Sequence, residues 1–258
     1  MATVDALANY FGGPLILFLL VLTRLGVMLL AMPAVGSGVP MRVRAVLAIA
    51  LALILMPLIE PRYTLPVDSL LKLTICVIRE AGIGMLIGLV VRLLVTGMQL
   101  AGEVATNSGG MQLGESQDPE IRSSVPTLAR LIGLLVTAVM ITAGGHRMMI
   151  EALMDSFVAM PPGEVRFEIG MLELVVYELS SGMSAGIRAS APIVASLLLT
   201  NLITGLISRT LPQLNVLVIG LSINALAFLV VSATAISTAG WLFRDELMLL
   251  FERLQKVW

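Results

Sequence analysis

Charged side chains are scarce in this sequence of 258 residues, of which 13% are charged and 58% are hydrophobic. Soluble domains usually carry about 25% charged residues. No charged side chain at all lies between Arg209 and Arg244. Because long uncharged apolar segments cross bilayers as helices, the composition predicts an all-α integral membrane protein and argues against a soluble domain.

The residue types that build disulfides and metal sites are almost missing. Cys76 is the only cysteine, so an internal disulfide is excluded, and its apolar surroundings predict a small buried hydrophobic residue. His146 is the only histidine and has no second ligand at zinc-binding spacing. We therefore expect no metal site and no cofactor.

Nucleic-acid binding and catalysis are also disfavoured. The formal net charge is -1, and the basic residues are scattered instead of clustered. Nucleotide-binding glycine motifs are missing from the sequence, and Ser180, Ser181 and Ser184 have no suitably placed base. We expect a protein without enzymatic activity, and an intramembrane hydrolase is the weakest alternative.

Proline, glycine and polar clusters separate the apolar segments. Hydropathy alone predicts about six spans, including a short helix at 41–56 between Pro40 and Pro57. Breaks are predicted at 33–40, at 60–66, over a polar loop at 103–124, at Gly144-Gly145 and at Pro161-Pro162-Gly163.

The C-terminal part predicts a helical hairpin followed by a tail. Acidic and apolar residues alternate over 164–178, which indicates an interfacial segment. Two apolar helices, 179–207 and 216–239, flank a polar turn. The tail at 241–258 is amphipathic, because Trp241, Phe243, Phe251 and Trp258 alternate there with charged residues. Its tryptophans and basic residues together suit a membrane interface or a partner's groove.

Small residues recur at helical spacing in two of the apolar segments. Gly84 and Gly88 lie one turn apart between Glu80 and Arg92, and the four trace a slanted ridge on one helix. Gly182 and Gly186 form a second pair at the same spacing. Such glycines let helix backbones approach closely, so we expect both pairs to serve helix packing or assembly.

Ionisable residues interrupt the apolar segments and argue against a simple six-helix bundle in lipid. An arginine at the bilayer centre costs at least about 2.5 to 3.5 kcal/mol. One explanation is that the charges pair with carboxylates or helix C-termini of neighbouring chains. The other is a conducting path for ions or protons, which arginine suits poorly because it keeps its proton. The residues concerned are Arg24, Arg79, Glu80, Arg92, Arg130 and Arg188.

A secondary transporter or ion channel for a small solute is therefore the rival function. Glu80, Arg92 and Glu103 would be its pathway residues, with helix breaks at Pro57 and Pro192 near the binding site.

Several motifs together resemble the FliR family of flagellar export-gate proteins, which has similar counterparts in virulence type III secretion. The most specific is Arg209-Thr210-Leu211-Pro212-Gln213-Leu214-Asn215. The others are Pro33-Ala34-Val35-Gly36, Val39-Pro40-Met41-Arg42-Val43-Arg44, a glycine-rich loop ending in Asp118-Pro119, Gly144-Gly145-His146 and Pro161-Pro162-Gly163.

The resemblance implies a fold and a set of partners. It implies a FliP-like helical part at 1–178 fused to a FliQ-like hairpin at 179–258, in the bacterial inner membrane within the flagellar basal body. One copy would join FliP-like and FliQ-like subunits, with an FlhB-like subunit, in a closed channel. Unfolded flagellar proteins would be its passengers, and membrane lipid would surround part of it.

The resemblance also implies residue roles. The loop that closes the pore would contain Asn107, Gly109, Gly110, Met111, Gln112, Leu113, Gly114, Asp118 and Pro119. Glu115 and Gln117 make this loop more polar than is usual in the family, so FliP-like neighbours would share the seal. The tip of the hairpin would contain Arg209, Pro212, Gln213 and Asn215.

Overall fold

The computed structural model describes residues 2–33, 39–59, 70–108, 127–210 and 216–258. Every regular element within these ranges is helical, so the predicted all-α class is confirmed. The elements are α1 (Ala2–Ala31), α2 (Met41–Leu55), a 3-10 turn (Met56–Leu58), α3 (Leu70–Ser108), α4 (Thr127–Thr142), α5 (Gly145–Ala159), α6 (Ile169–Thr210) and α7 (Val216–Gln255).

Several of these helices are long and apolar enough to cross a membrane. Among the described residues there are four, or up to five if α4 and α5 form one broken span. The four segments are Gly13–Ala31, Met41–Leu58, Leu70–Ser108 and Ile169–Thr210. The protein is therefore a membrane protein, as its composition predicts.

Proline and glycine set the helix ends where the sequence predicts them. Pro40 precedes the first residue of α2, where its fixed φ suits a helix start, and α2 ends in the 3-10 turn that contains Pro57. Gly144, with a φ of 80°, separates α4 from α5. Because left-handed backbone suits glycine, this break is encoded locally.

The prediction of a polar loop from residue 103 is wrong over 103–108, because α3 continues through these residues. The Oγ1 of Thr106 donates to the Gly102 carbonyl at 2.7 Å, and the Oγ of Ser108 donates to the Val104 carbonyl at 2.8 Å. These hydroxyls bond to their own helix, and Ala105 is buried. The polar side chains therefore do not end the helix.

The C-terminal helices are also longer than predicted. α6 begins at Ile169, inside the segment expected to be interfacial, and it buries Met171, Leu174 and Glu178 at helical spacing. α7 continues through the predicted tail and buries Phe243 and Phe251 within the chain. Within the predicted amphipathic tail, these two phenylalanines are therefore covered by the chain itself, whereas Trp241 is exposed.

The chain forms two compact units, and α3, α6 and α7 contribute residues to both. The first comprises Met1–Arg92, Gly144–Tyr177 and Leu249–Trp258. The second comprises Leu93–Ala143 and Glu178–Met248. The predicted boundary between residues 178 and 179 refers to family resemblance and stays a prediction.

Candidate functional site: a buried ion pair and glycine contacts

The centre of the first unit contains a fully buried arginine. Arg24 of α1 donates through Nε to a Glu80 carboxylate oxygen of α3 at 2.6 Å. Its Nη1 donates to the carbonyl and hydroxyl oxygens of Ser156 at 2.9 and 3.0 Å, and its Nη2 donates to the Met160 carbonyl at 3.0 Å. The buried guanidinium is thus held on three sides, as an interior charge requires.

The C-terminal end of α5 is built to receive this cation. Ser156 and Met160 supply carbonyls of the last turn and the cap, where the helix dipole is negative. The Arg24 guanidinium carbon lies 4.2 Å from the centre of the Phe157 ring, at cation–π distance. The same short helix therefore offers both polar and aromatic contacts to one charge.

The turn after α5 holds the other oxygen of Glu80. The Gly163 N–H donates to this oxygen at 2.8 Å, and the Glu164 N–H donates to the Pro161 carbonyl at 3.0 Å. Gly163 has a φ of 88°, which a type II turn with Pro162 before it requires. The Pro-Pro-Gly motif thus aims a backbone donor at the buried carboxylate.

The predicted glycine ridge forms the contact between α1 and α3. A β-carbon added at Gly84 would overlap the backbone carbonyl of Arg24, and one added at Gly88 would meet Ala31 and the Met28 carbonyl. The helices therefore touch backbone to backbone at these positions, which only glycine permits. Glu80, Gly84 and Gly88 thus act together, as their spacing suggests.

The prediction that neighbouring chains supply carboxylates or helix C-termini as partners of the embedded arginines is wrong for Arg24. Arg24 finds both kinds of partner within its own chain, at Glu80 and at the end of α5. Because residues 24, 80 and 156 are far apart in sequence, helix periodicity could not identify this pairing.

A second glycine contact lies within the second unit. A β-carbon at Gly182 would meet the Leu93 carbonyl, and β-carbons at Gly97 and Gly186 would overlap the facing backbone of α6 and α3, respectively. Gly182 and Gly186 therefore lie where α6 comes closest to the backbone of α3. Gly97 was not predicted, although its spacing to Ala101 gave the same small-residue signal.

Three side-chain hydrogen bonds join α6 to α7 inside this unit. Glu246, which is buried, accepts from the Arg188 guanidinium at 2.9 Å and from the Ser181 hydroxyl at 2.9 Å. The Asn224 amide donates to the Asn201 side-chain oxygen at 2.7 Å. Arg188 is thus a second embedded arginine that pairs within its own chain.

The remaining predicted residues divide between exposed positions and residues outside the described ranges. Arg92 and Asn107 of α3 and Arg209 of α6 are exposed, so Arg92 does not belong to the buried cluster at Glu80. Outside the described residues lie Gly109, Gly110, Met111, Gln112, Leu113, Gly114, Asp118, Pro119, Pro212, Gln213 and Asn215.

The chain is similar in sequence to known bacterial export proteins. The family described as bacterial export proteins, family 1, matches residues 15–250. The flagellar biosynthetic protein FliR of Caulobacter vibrioides is 28% identical over 88% of this chain and 91% of its own length. FliR of Bacillus subtilis is 26% identical over 93% of both chains, and FliR of Escherichia coli is 28% identical over 71% of this chain and 69% of its own. This chain therefore belongs to the family of bacterial flagellar export proteins represented by FliR.

Proposed function

We propose that this chain is a non-enzymatic subunit of the flagellar protein export gate in the bacterial inner membrane. It forms part of a closed protein-conducting channel with FliP-like and FliQ-like subunits and contacts an FlhB-like subunit. The main observation that supports this proposal is that the export-protein family matches nearly the whole chain, from residue 15 to residue 250. Unfolded flagellar proteins are the passengers of this channel.

The buried ion pair supports a gate subunit over a small-solute transporter. A pathway residue must exchange partners or protons during transport. Both oxygens of Glu80 are instead occupied, one by Arg24 and one by the Gly163 N–H. Arg92, the other residue assigned to such a pathway, is exposed whereas Glu80 is buried, so the two side chains lie in different surroundings.

The end of α3 supports a closure role for the segment that follows it. α3 ends at Ser108, and Asn107 is exposed in its last turn. In the sequence, the glycine-rich segment up to Pro119 follows this helix, in which Ala105 is buried. We propose that Met111 and Leu113 close the channel by excluding water from a narrow apolar passage.

Co-expression followed by native mass measurement tests the proposal. The tagged chain is produced with FliP-like and FliQ-like subunits from the same genome, and in parallel without them. We expect one complex containing all three proteins in the first case, and degradation or aggregation in the second. A monodisperse single chain that carries a solute in reconstituted vesicles would contradict the proposal and favour the transporter.

A further inference from the structure

Pro192 lies near the middle of α6, a helix of 42 residues. Proline has no backbone N–H, so it cannot donate to the Arg188 carbonyl one turn earlier, and its ring crowds that carbonyl. The Pro192 side chain is exposed, so packing within the described parts of the chain does not account for a proline at this position. The hydrogen-bond ladder of α6 is therefore interrupted about midway along the helix.

The part of α6 before this proline is fixed to its neighbours inside the second unit. β-carbons added at Gly182 and Gly186 would meet the backbone of α3. Glu246 of α7 accepts hydrogen bonds from Ser181 and Arg188, each at 2.9 Å. A rotation of this part of α6 would therefore break backbone contacts on one side and an ion pair on the other.

The residues after the proline form a two-helix arm. We call this arm the outer hairpin; it comprises residues 193–210 of α6 and 216–231 of α7. The Asn224 amide joins its two helices by donating to the Asn201 side-chain oxygen at 2.7 Å. A β-carbon added at Gly220 would lie 3.1 Å from the γ-methyl group of Thr204. The two helices of the arm are thus held to each other by contacts of their own.

Burial of the outer hairpin is greatest where the arm begins. A cluster there buries Ala105 of α3 together with three residues of the arm, which are Ile193, Leu197 and Phe228. Along the remainder of α6, from 198 to 210, Thr204 is the one buried residue. The contacts that restrain α6 within the described residues of this unit therefore decrease from the proline towards the tip.

The segment of α7 that faces Pro192 is also prone to bending. The hydrogen bonds from Ser181 to Glu246 and between residues 201 and 224 relate the two antiparallel helices, and the proline lies about halfway between them. It is therefore level with residues 232–240 of α7, whose sequence is Ser-Ala-Thr-Ala-Ile-Ser-Thr-Ala-Gly. Serine, threonine and glycine favour bends in helices. Both helices of the hairpin are thus weak at the same level.

We propose that Pro192 and residues 232–240 form a hinge, about which the outer hairpin tilts as one body when an unfolded passenger opens the gate. The inference rests on the proposed function and adds the moving part and its pivot. The bond between Asn201 and Asn224 keeps the two helices together during the motion. A tilt of about 20° would move Leu206, which lies roughly 21 Å beyond the proline, by roughly 7 Å.

Distances between two spin labels in the complete complex test the hinge. Cys76→Ser removes the native thiol, and labels are attached through Thr96→Cys and Leu206→Cys. Both label positions are exposed; Thr96 lies in α3 next to the Gly97 contact with α6. The complex is measured empty and with a passenger whose folded C-terminal domain arrests it in the channel. We expect the distance between the labels to change by several ångströms, up to about 7 Å.

Three variants identify the pivot. Pro192→Ala restores the missing backbone hydrogen bond and should remove most of the change in distance, whereas Pro192→Gly should retain it, because glycine keeps the helix flexible. Pro14→Ala alters the proline inside α1 and is the matched control, with the full change expected. Equal distances in the empty and loaded wild-type complexes, or the full change in Pro192→Ala, would overturn the hinge.

The outcomes separate the two proposals. If the unaltered chain forms no complex with FliP-like and FliQ-like subunits, or if the complex takes up no passenger, the proposed function fails. If a loaded complex forms and the labels keep their distance, only the hinge is refuted.

Discussion

Removing the carboxylate of Glu80 while leaving Arg24 in place should strongly destabilise the first unit. Both side chains are fully buried, and Nε of Arg24 lies 2.6 Å from the carboxylate. Breaking a buried pair from one side typically costs about 3 to 5 kcal/mol, because an uncompensated charge remains. We expect Glu80→Ala to lower the free energy of unfolding by about this amount.

A double-mutant cycle isolates the pair from its surroundings. Arg24→Leu should lower the free energy of unfolding about as much as Glu80→Ala, because it leaves the buried carboxylate with one backbone donor. Arg24→Leu/Glu80→Leu removes both charges and should cost less than the sum of the single changes. It still leaves the Ser156 and Met160 carbonyls and the Gly163 N–H without these partners, each worth about 1 to 3 kcal/mol, so it should not be neutral.

The assay is the thermal aggregation midpoint of the purified complex, together with the half-life of the chain in cells. The matched control is Arg147→Ala/Glu151→Ala, which removes an exposed pair worth no more than about 0.5 kcal/mol. The reasoning is refuted if Glu80→Ala behaves like this control, or if the double variant shows the full sum of both losses.

Two further changes test the glycine ridge and the closure segment. Gly84→Ala should cost about 1 to 3 kcal/mol and lower the complex yield, because the added β-carbon overlaps the Arg24 carbonyl. Gly84→Leu adds more atoms at the same place and should abolish assembly. Gly26→Ala should be tolerated, since no atom lies within 4 Å of its added β-carbon. Wild-type yield from Gly84→Leu would contradict the packing role. Deleting 109–114 should leave assembly intact but make membranes permeable to small ions, measured as conductance of reconstituted complexes, and unchanged conductance would remove the closure assignment.

Local sequence signals indicate the helix breaks and the close approach at the glycines, because backbone chemistry determines both. Pro40 and Gly144 act through their own φ angles, whatever surrounds them. The spacing of Gly84 and Gly88 alone predicts a close helix contact. The partner helix, however, depends on which segments meet in three dimensions, and periodicity carries no information about that.

The sequence does not predict the longer helices or the pairing of Arg24, for related reasons. Thr106 and Ser108 are polar residues that predict a loop, but their hydroxyls donate to carbonyls one turn earlier in α3. Arg24 resembles a charge that needs another chain, but the Ser156 and Met160 carbonyls at the end of α5 accept hydrogen bonds from its guanidinium. In both cases the polar group is satisfied by a backbone acceptor, which side-chain patterns do not reveal.

We expect the ion pair to fix the register of α1 on α3, which the glycine contacts alone specify poorly. Gly84 and Gly88 are one helical turn apart, so sliding α1 by about 5.4 Å would exchange one smooth glycine contact for another. Only one register places the Arg24 guanidinium against Glu80. Polar groups in apolar cores are known to fix registers at some expense in stability, which is the role we assign here. Spin labels on α1 and α3 should therefore give one distance in the wild-type complex and two distances, about 5 Å apart, in Arg24→Leu/Glu80→Leu. A single unchanged distance in the double variant would show that the ion pair does not determine the register.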